Sequence, residues 1–205
     1  MNLLDRVREQ KLVAIVRGRD AEASVSTCLT LADEGIRLIE VSLTTRDAFR
    51  VIESVASRLD GETALGAGTV LTADDVRRVR DCGARYIVTP ALAPSIEAAH
   101  SHDLPVLAGA LTPSEVVQAA NHGAAAVKLF PASVFGPAYV KALRDPFPDV
   151  PLLPVGGVEL QHVAAYLSAG ATGVGIGSPL CGDAPHGGDL EALRQRARLF
   201  MAAVR

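Results

Sequence analysis

The sequence has no tryptophan, few other aromatic residues and no Lys/Arg run longer than two residues. It therefore offers neither a base-stacking platform nor a haem pocket, and nucleic acid is a poor expectation for a partner. The formal net charge of -3 points the same way. Only three cysteines are present, Cys28, Cys82 and Cys181, far apart and odd in number. They read as reduced thiols of a cytoplasmic protein, not as a disulfide framework. No apolar stretch approaches the roughly 18 residues of a membrane span, and residues 1–11 are too charged for a signal peptide. Disorder is also a poor reading, because 49% of the residues are apolar and 21% charged. At 205 residues the chain suits one domain covering positions 1–205.

What is present is a repeat. Gly35, Gly83, Gly123 and Gly170 each follow a helix-like stretch and precede, two residues later, a short apolar run. Glycine suits the left-handed position that ends a helix before a strand. The spacings are 48, 40 and 47 residues, and each interval holds one further apolar run, at 63–68, 105–109 and 150–155. With the opening run at 12–17 the count reaches eight strands. Thr112-Pro113-Ser114-Glu115 and Thr72-Ala73-Asp74-Asp75 carry helix-start signals. Strands alternating with amphipathic helices call for a parallel sheet with right-handed crossovers. Eight units fit an α/β fold of the closed (β/α)8 barrel type; an open doubly wound sheet is the alternative. The length is near the lower limit for such a barrel, leaving little room for insertions.

In these barrels the active site collects at the C-terminal ends of the strands. The polar residues expected there include Arg17, Glu40, Ser42, Thr44, Thr69, Pro90, Lys128, Phe130, Gly156, Gly157 and Ser178. Lys128 interrupts the apolar run Ala124-Ala125-Ala126-Val127-Lys128-Leu129-Phe130. A strand this apolar is covered on both faces, so the amine is expected to be buried or at the barrel mouth. Apolar surroundings favour the neutral form of an amine, which can condense with a ketone to give an imine, the electron sink for breaking a C–C bond. The plainer reading is a structural ion pair with Glu40.

Glu40 falls on the same face of its strand as Leu38 and Ser42, and a carboxylate inside a barrel is costly unless it is paired or used. General acid/base work is the functional reading. A charged Glu40 touching Lys128 would oppose activation of the amine, so the two must be separated, or Arg17 must absorb part of the charge. Gly156-Gly157 and Gly177-Ser178 end the seventh and eighth strands, where bare backbone N–H groups form the usual barrel phosphate cradle; plain tight turns are the alternative. The histidines argue against a metal site. His100-Ser101-His102 lies at the wrong mouth and reads as a solvated pair, while His186 sits in a Gly/Pro-rich loop without ligand spacing. Cys28 and Cys82 are expected to face the barrel from their helices.

Five segments resemble one family. Glu40-Val41-Ser42-Leu43, Gly66-Ala67-Gly68-Thr69-Val70-Leu71, Thr89-Pro90, Val127-Lys128-Leu129-Phe130-Pro131-Ala132 and Gly156-Gly157-Val158 are similar, in order and spacing, to the signatures of the 2-keto-3-deoxy-6-phosphogluconate aldolase family. The resemblance implies a trimeric (β/α)8 barrel without a metal or other cofactor, whose substrate is a phosphorylated sugar acid and whose products are pyruvate and D-glyceraldehyde 3-phosphate. It makes Lys128 the Schiff-base lysine and Glu40 the proton-shuttling acid/base. It places Thr69 and Pro90 at the pyruvyl group, Phe130 beside the imine, and Gly156, Gly157 and Ser178 around the phosphate, with Arg17 near it. Two departures bear on the substrate. Thr44 stands where many gluconate-branch members have an arginine, and Val155 stands where they commonly have a threonine. The Val155-Gly156-Gly157 form, with Phe135-Gly136-Pro137, resembles the 6-phosphogalactonate branch, whose substrate differs only in configuration at C4. Thr44, Thr69 or Arg46 is then expected to receive the carboxylate. A 4-hydroxy-2-oxoglutarate-type aldolase and a phosphosugar isomerase or epimerase are the rival readings.

Overall fold

The computed structural model describes residues 1–205. Eight strands follow one another in chain order: β1 (Leu12–Val16), β2 (Leu38–Ser42), β3 (Ala64–Gly68), β4 (Tyr86–Val88), β5 (Val106–Ala110), β6 (Ala126–Leu129), β7 (Leu152–Pro154) and β8 (Val174–Ile176). All pairings between neighbours are parallel, and β1 also pairs with β8. A bridge between Val155 and Gly175 joins β7 to β8 and closes the ring. The closed barrel is therefore the fold, and the open sheet is excluded. Several strand ends differ from the sequence expectation by one or two residues. Arg17 lies just past β1, and β7 stops at Pro154, which has no N–H to give to the ladder.

The helices that return the chain lie between the strands: α2 (Ala21–Asp33), α3 (Ala48–Ala56), α4 (Ala73–Asp81), α5 (Ser95–His100), α6 (Pro113–Asn121), α7 (Gly136–Arg144) and α8 (Val163–Ser168); the short α9 (Ser178–Cys181) and α10 (Leu190–Ala203) follow β8. Their starts are specified locally. Thr72 with Asp75 and Thr112 with Glu115 form reciprocal capping boxes, and Pro113 fills the first turn of α6. Asp20 caps α2 by accepting from the Ala23 N–H at 2.8 Å. Their ends are specified too: Gly35, Gly83, Gly123 and Gly170 all hold positive φ, between 74° and 97°. At these points a side-chain-bearing residue would be strained.

Two apolar layers result. The larger, of 46 residues, fills the space between strands and helices. The smaller, of 12, is the barrel interior, contributed by inward residues such as Val13, Ile15, Leu38, Tyr86, Leu107 and Leu153. Leu3 and Val7 of the N-terminal helix α1 (Leu3–Gln10) belong to this inner layer and plug the N-terminal end. The interior narrows to fit its largest side chain. Tyr86 is fully buried, and a methyl group on Gly66 would fall 2.4 Å from its ring. Cys28 is buried in the outer layer as expected. Cys82 is not a core residue: it caps α4 and is only partly buried, because α4 ends one position earlier. His100 is exposed and His102 half-buried, but they are not merely solvated, since His100 Nε2 donates to the His122 carbonyl at 2.6 Å and Arg80 donates to His102 Nδ1 at 2.9 Å.

The Gly66→Ala variant is expected to lose about 1–3 kcal/mol through overpacking against Tyr86. Its thermal midpoint should fall by several degrees, while Gly61→Ala, with nothing within 4 Å of the added carbon, should melt like the wild type.

Candidate active site

At the C-terminal mouth of the barrel lies a cavity of about 460 Å³. Lys128, Arg17, Thr44, Thr69, Pro90, Phe130, Val155, Gly156, Gly157 and Ser178 all line it. Glu40 is buried and is not among the cavity's lining residues.

Lys128 is held by β6, with its Cα opposite Gly109 of β5 and Leu153 of β7. Its side chain is 6% exposed, and its Nζ lies 5.4 Å from the centre of the Phe130 ring. Gly109 matters for space: a methyl group there would fall 2.2 Å from the Pro90 carbonyl carbon. Without it, the Thr89–Ala91 segment comes close to Lys128's strand, fixed by a hydrogen bond from the Gly109 N–H to Thr89 Oγ1 at 3.0 Å.

Glu40 sits in β2 between Ile15 of β1 and Gly66 of β3 and is 2% exposed. Its carboxyl lies over Gly68, where an added methyl would fall 1.7 Å from Oε1. The glycines of β3 are thus a slot for the acid. No ion pair joins Glu40 to Lys128. The plain structural pairing of the two is therefore not formed. Burial pushes the Glu40 carboxyl above the ordinary carboxylate value, and the positive charges of Lys128 and then Arg17 pull it part of the way back. The separation and the part played by Arg17 meet the condition that the sequence set for both groups to work.

On the neighbouring wall three hydroxyls form a chain. Ser42 Oγ lies 2.8 Å from Thr44 Oγ1 and 3.0 Å from Thr69 Oγ1. Thr69 holds a left-handed backbone, φ 62°, which is costly for a β-branched residue and aims its side chain at Ser42. Arg46 does not share in this wall; its side chain is exposed beside Asp47. Opposite, Gly156 and Gly157 both adopt positive φ, 91° and 74°, which turns the chain sharply after β7. A methyl on Gly157 would fall 2.5 Å from Ser133 Cβ, so the turn is closed to larger residues on that side. Gly175 is bare for Val155, whose Cγ2 would lie 2.6 Å from an added methyl.

Sequence reasoning missed part of the rim. Arg19 and His186 line the cavity, joined by a hydrogen bond from the Arg19 N–H to His186 Nδ1 at 3.1 Å. Cys181 lines it as well, its thiol pushed up to about 12 by burial. The loop that carries His186 looked like simple connection, and the only signal was its position after β8. No group of three or more His, Cys, Asp or Glu side chains is placed to hold a metal ion.

A closed barrel of parallel strands, with a buried lysine and a buried acid at its C-terminal mouth, defines an enzyme of the (β/α)8 class. The model of the KDPG and KHG aldolases matches residues 3–195. The chain belongs to that family and is a carbon–carbon lyase. It is 37% identical over 197 residues to a probable 2-dehydro-3-deoxy-6-phosphogalactonate aldolase of Rhizobium meliloti (strain 1021), covering 95% of this chain and 92% of the relative. It is 30% identical over 190 residues to a KHG/KDPG aldolase of Escherichia coli (strain K12), covering 91% and 89%. A solved structure described as native KDPGal superposes with a TM-score of 0.88 at 32% identity, covering 94% of this chain and 93% of the other.

The Glu40 environment has a consequence for stability. A carboxyl whose folded value is raised binds its proton more tightly in the native state, so stability falls as pH rises from the ordinary value of 4.5 through the folded one. Glu40→Gln removes that penalty. The variant should melt above the wild type at pH 8, and the gap should close as pH approaches 4.5; equal midpoints at both pH values would show that Glu40 carries no buried-charge cost.

Proposed function

We propose that residues 1–205 form one class I aldolase unit that cleaves 2-dehydro-3-deoxy-6-phosphogalactonate, its gluconate epimer, or both. The products are pyruvate and D-glyceraldehyde 3-phosphate. The observation that carries this is the buried pair at the mouth: Lys128 opens into the cavity, and Glu40 is buried, with no ion pair to neutralise either.

In this reading Lys128 Nζ attacks the C2 ketone of the substrate, and loss of water gives the imine. Glu40 accepts the proton of the C4 hydroxyl as the C3–C4 bond breaks, and the electron pair moves into the imine to give an enamine. The aldehyde leaves, Glu40 returns the proton to C3, and water releases pyruvate from Lys128. Phe130 and Pro90 flank the imine. Ser42, Thr44 and Thr69 receive the carboxylate, their linked hydroxyls standing in for the missing arginine. The N–H groups about Gly156, Gly157 and Ser178, with Arg17, take the phosphate. The relative of 37% identity and the KDPGal structure support the galactonate epimer. The KHG/KDPG relative supports a second reading, in which unphosphorylated 4-hydroxy-2-oxoglutarate is also cleaved. An isomerase or epimerase would need no imine.

Borohydride reduction in the presence of pyruvate should add one pyruvyl-derived mass to the chain. The sequence holds three lysines, Lys11, Lys128 and Lys141, so the modified peptide is readily assigned. The label should map to Lys128, and Lys128→Ala should neither trap pyruvate nor turn over. Capture elsewhere, or none in an active preparation, would sink the mechanism.

Val155 is the expected selector between the epimers, because it faces the cavity and cannot hydrogen-bond a C4 hydroxyl. Val155→Thr should shift the ratio of kcat/KM values toward the gluconate epimer by roughly 2- to 13-fold, the worth of one neutral hydrogen bond. An unchanged ratio in parallel assays would remove Val155 from that role.

The enzyme is further read as a homotrimer in the cytoplasm. Val134 and Phe135, adjacent after β6, are 56% and 54% exposed, the kind of apolar surface that a second subunit covers. Light scattering at micromolar concentration should report about three times the chain mass of 21.4 kDa; a monomer would contradict it.

A further inference from the structure

The turn after β1 and the turn after β8 form one wall of the cavity. Gly18 packs so closely on the second turn that an added methyl would fall 2.3 Å from the Pro185 carbonyl oxygen. Ser24 Oγ, which donates to the Asp20 carbonyl at 2.7 Å, lies 3.4 Å from that same oxygen. The Arg19 N–H donates to His186 Nδ1 at 3.1 Å, and the His186 N–H donates to the Asp183 carbonyl at 2.8 Å. A 3-10 turn over Ala184–His186 is thereby pinned against residues 18 and 19.

This pinning sets the chemistry of the imidazole. A ring nitrogen that accepts from a backbone N–H carries no proton, so the proton of the neutral ring is on Nε2. Nε2 has no partner within the protein, and the ring borders the cavity beside Arg17, Arg19 and Ser178. It is a donor of fixed direction in the same cavity that the Gly156-Gly157 turn and Ser178 line. Because the ring is already held, little side-chain freedom is lost when it binds.

We propose that His186 is a further phosphate-binding residue, donating from Nε2 to a phosphate oxygen of the substrate and so helping to select phosphorylated over unphosphorylated sugar acids. The proposal rests on the aldolase reading above. His186 touches the end of the substrate remote from the bond that breaks, so its contribution is to recognition and not to the proton transfers of Glu40.

Two side chains separate its two hydrogen bonds. Asparagine places its Oδ1 where Nδ1 was, so His186→Asn keeps the acceptor for the Arg19 N–H and removes the Nε2 donor. His186→Ala removes both. Each protein is assayed with the 6-phosphorylated sugar acid and with its unphosphorylated counterpart, and is reduced with borohydride in the presence of pyruvate. His186→Asn should trap pyruvate like the wild type. Its preference for the phosphorylated substrate, taken as the ratio of the two kcat/KM values, should fall roughly 10-fold or more, through KM, as loss of a hydrogen bond to a charged group requires. His186→Ala should fall at least as far. Retention of the wild-type ratio by His186→Asn would overturn the proposal. So would an equal loss on both substrates, which would make His186 a structural pin of the loop. Failure of the wild type itself to trap pyruvate would instead strike the aldolase reading, independently of either variant.

Discussion

An eight-stranded barrel has an interior just wide enough for its own side chains. This one must hold a carboxyl and an amine among them, and that constraint explains much of its composition. The third strand, Ala64-Leu65-Gly66-Ala67-Gly68, points no side chain larger than a methyl inward, so the interior space beside it goes to Tyr86 and to the Glu40 carboxyl. Glycine at 109 admits the chain after β4 toward Lys128, and glycine at 175 admits Val155. The four bare positions, on three strands of the barrel, are thus the complements of the bulky or charged residues on the others. An apolar side chain at any of them would improve the local strand and displace part of the site.

The same constraint sorts the chain into two layers that obey different rules. Residues facing the helices are apolar and interchangeable in kind, the material of an ordinary core. Residues facing inward are mostly apolar below the level of Glu40, where α1 seals the base, and few apolar ones, Val88 and Val155 among them, lie above it. The others above that level are glycine, hydroxyl or charge. The boundary between fold and site runs across each strand at nearly one height, which is why conserving the barrel and varying its upper rim are independent operations.

Much of this was legible in the amino-acid sequence, and the reasons are local. The four glycines before the even-numbered strands and the capping boxes at Thr72 and Thr112 are decided by neighbours three or four residues away, so pattern alone finds them. Lys128 and Glu40 were visible because a charge inside an apolar strand is an anomaly of one dimension. The seat of the Glu40 carboxyl was not visible, because it depends on Gly68, 28 positions later. Nor was the role of the 183–187 turn, since Arg19 and His186 meet across 167 positions. Cys82 was misjudged because a one-residue shift at a helix end leaves its side chain at the edge of the core, only partly buried.

The closure of the ring has one more implication. Elsewhere neighbouring strands are stitched over two to five paired positions, but β7 and β8 meet through the lone bridge of Val155 and Gly175. The turns that follow these two strands carry Gly157 and Ser178, on either side of that seam. An anion held by both turns would act as a rivet, tying together the two edges that the backbone joins least. Binding of such an anion and closure of the seam would be linked by mass action, each favouring the other.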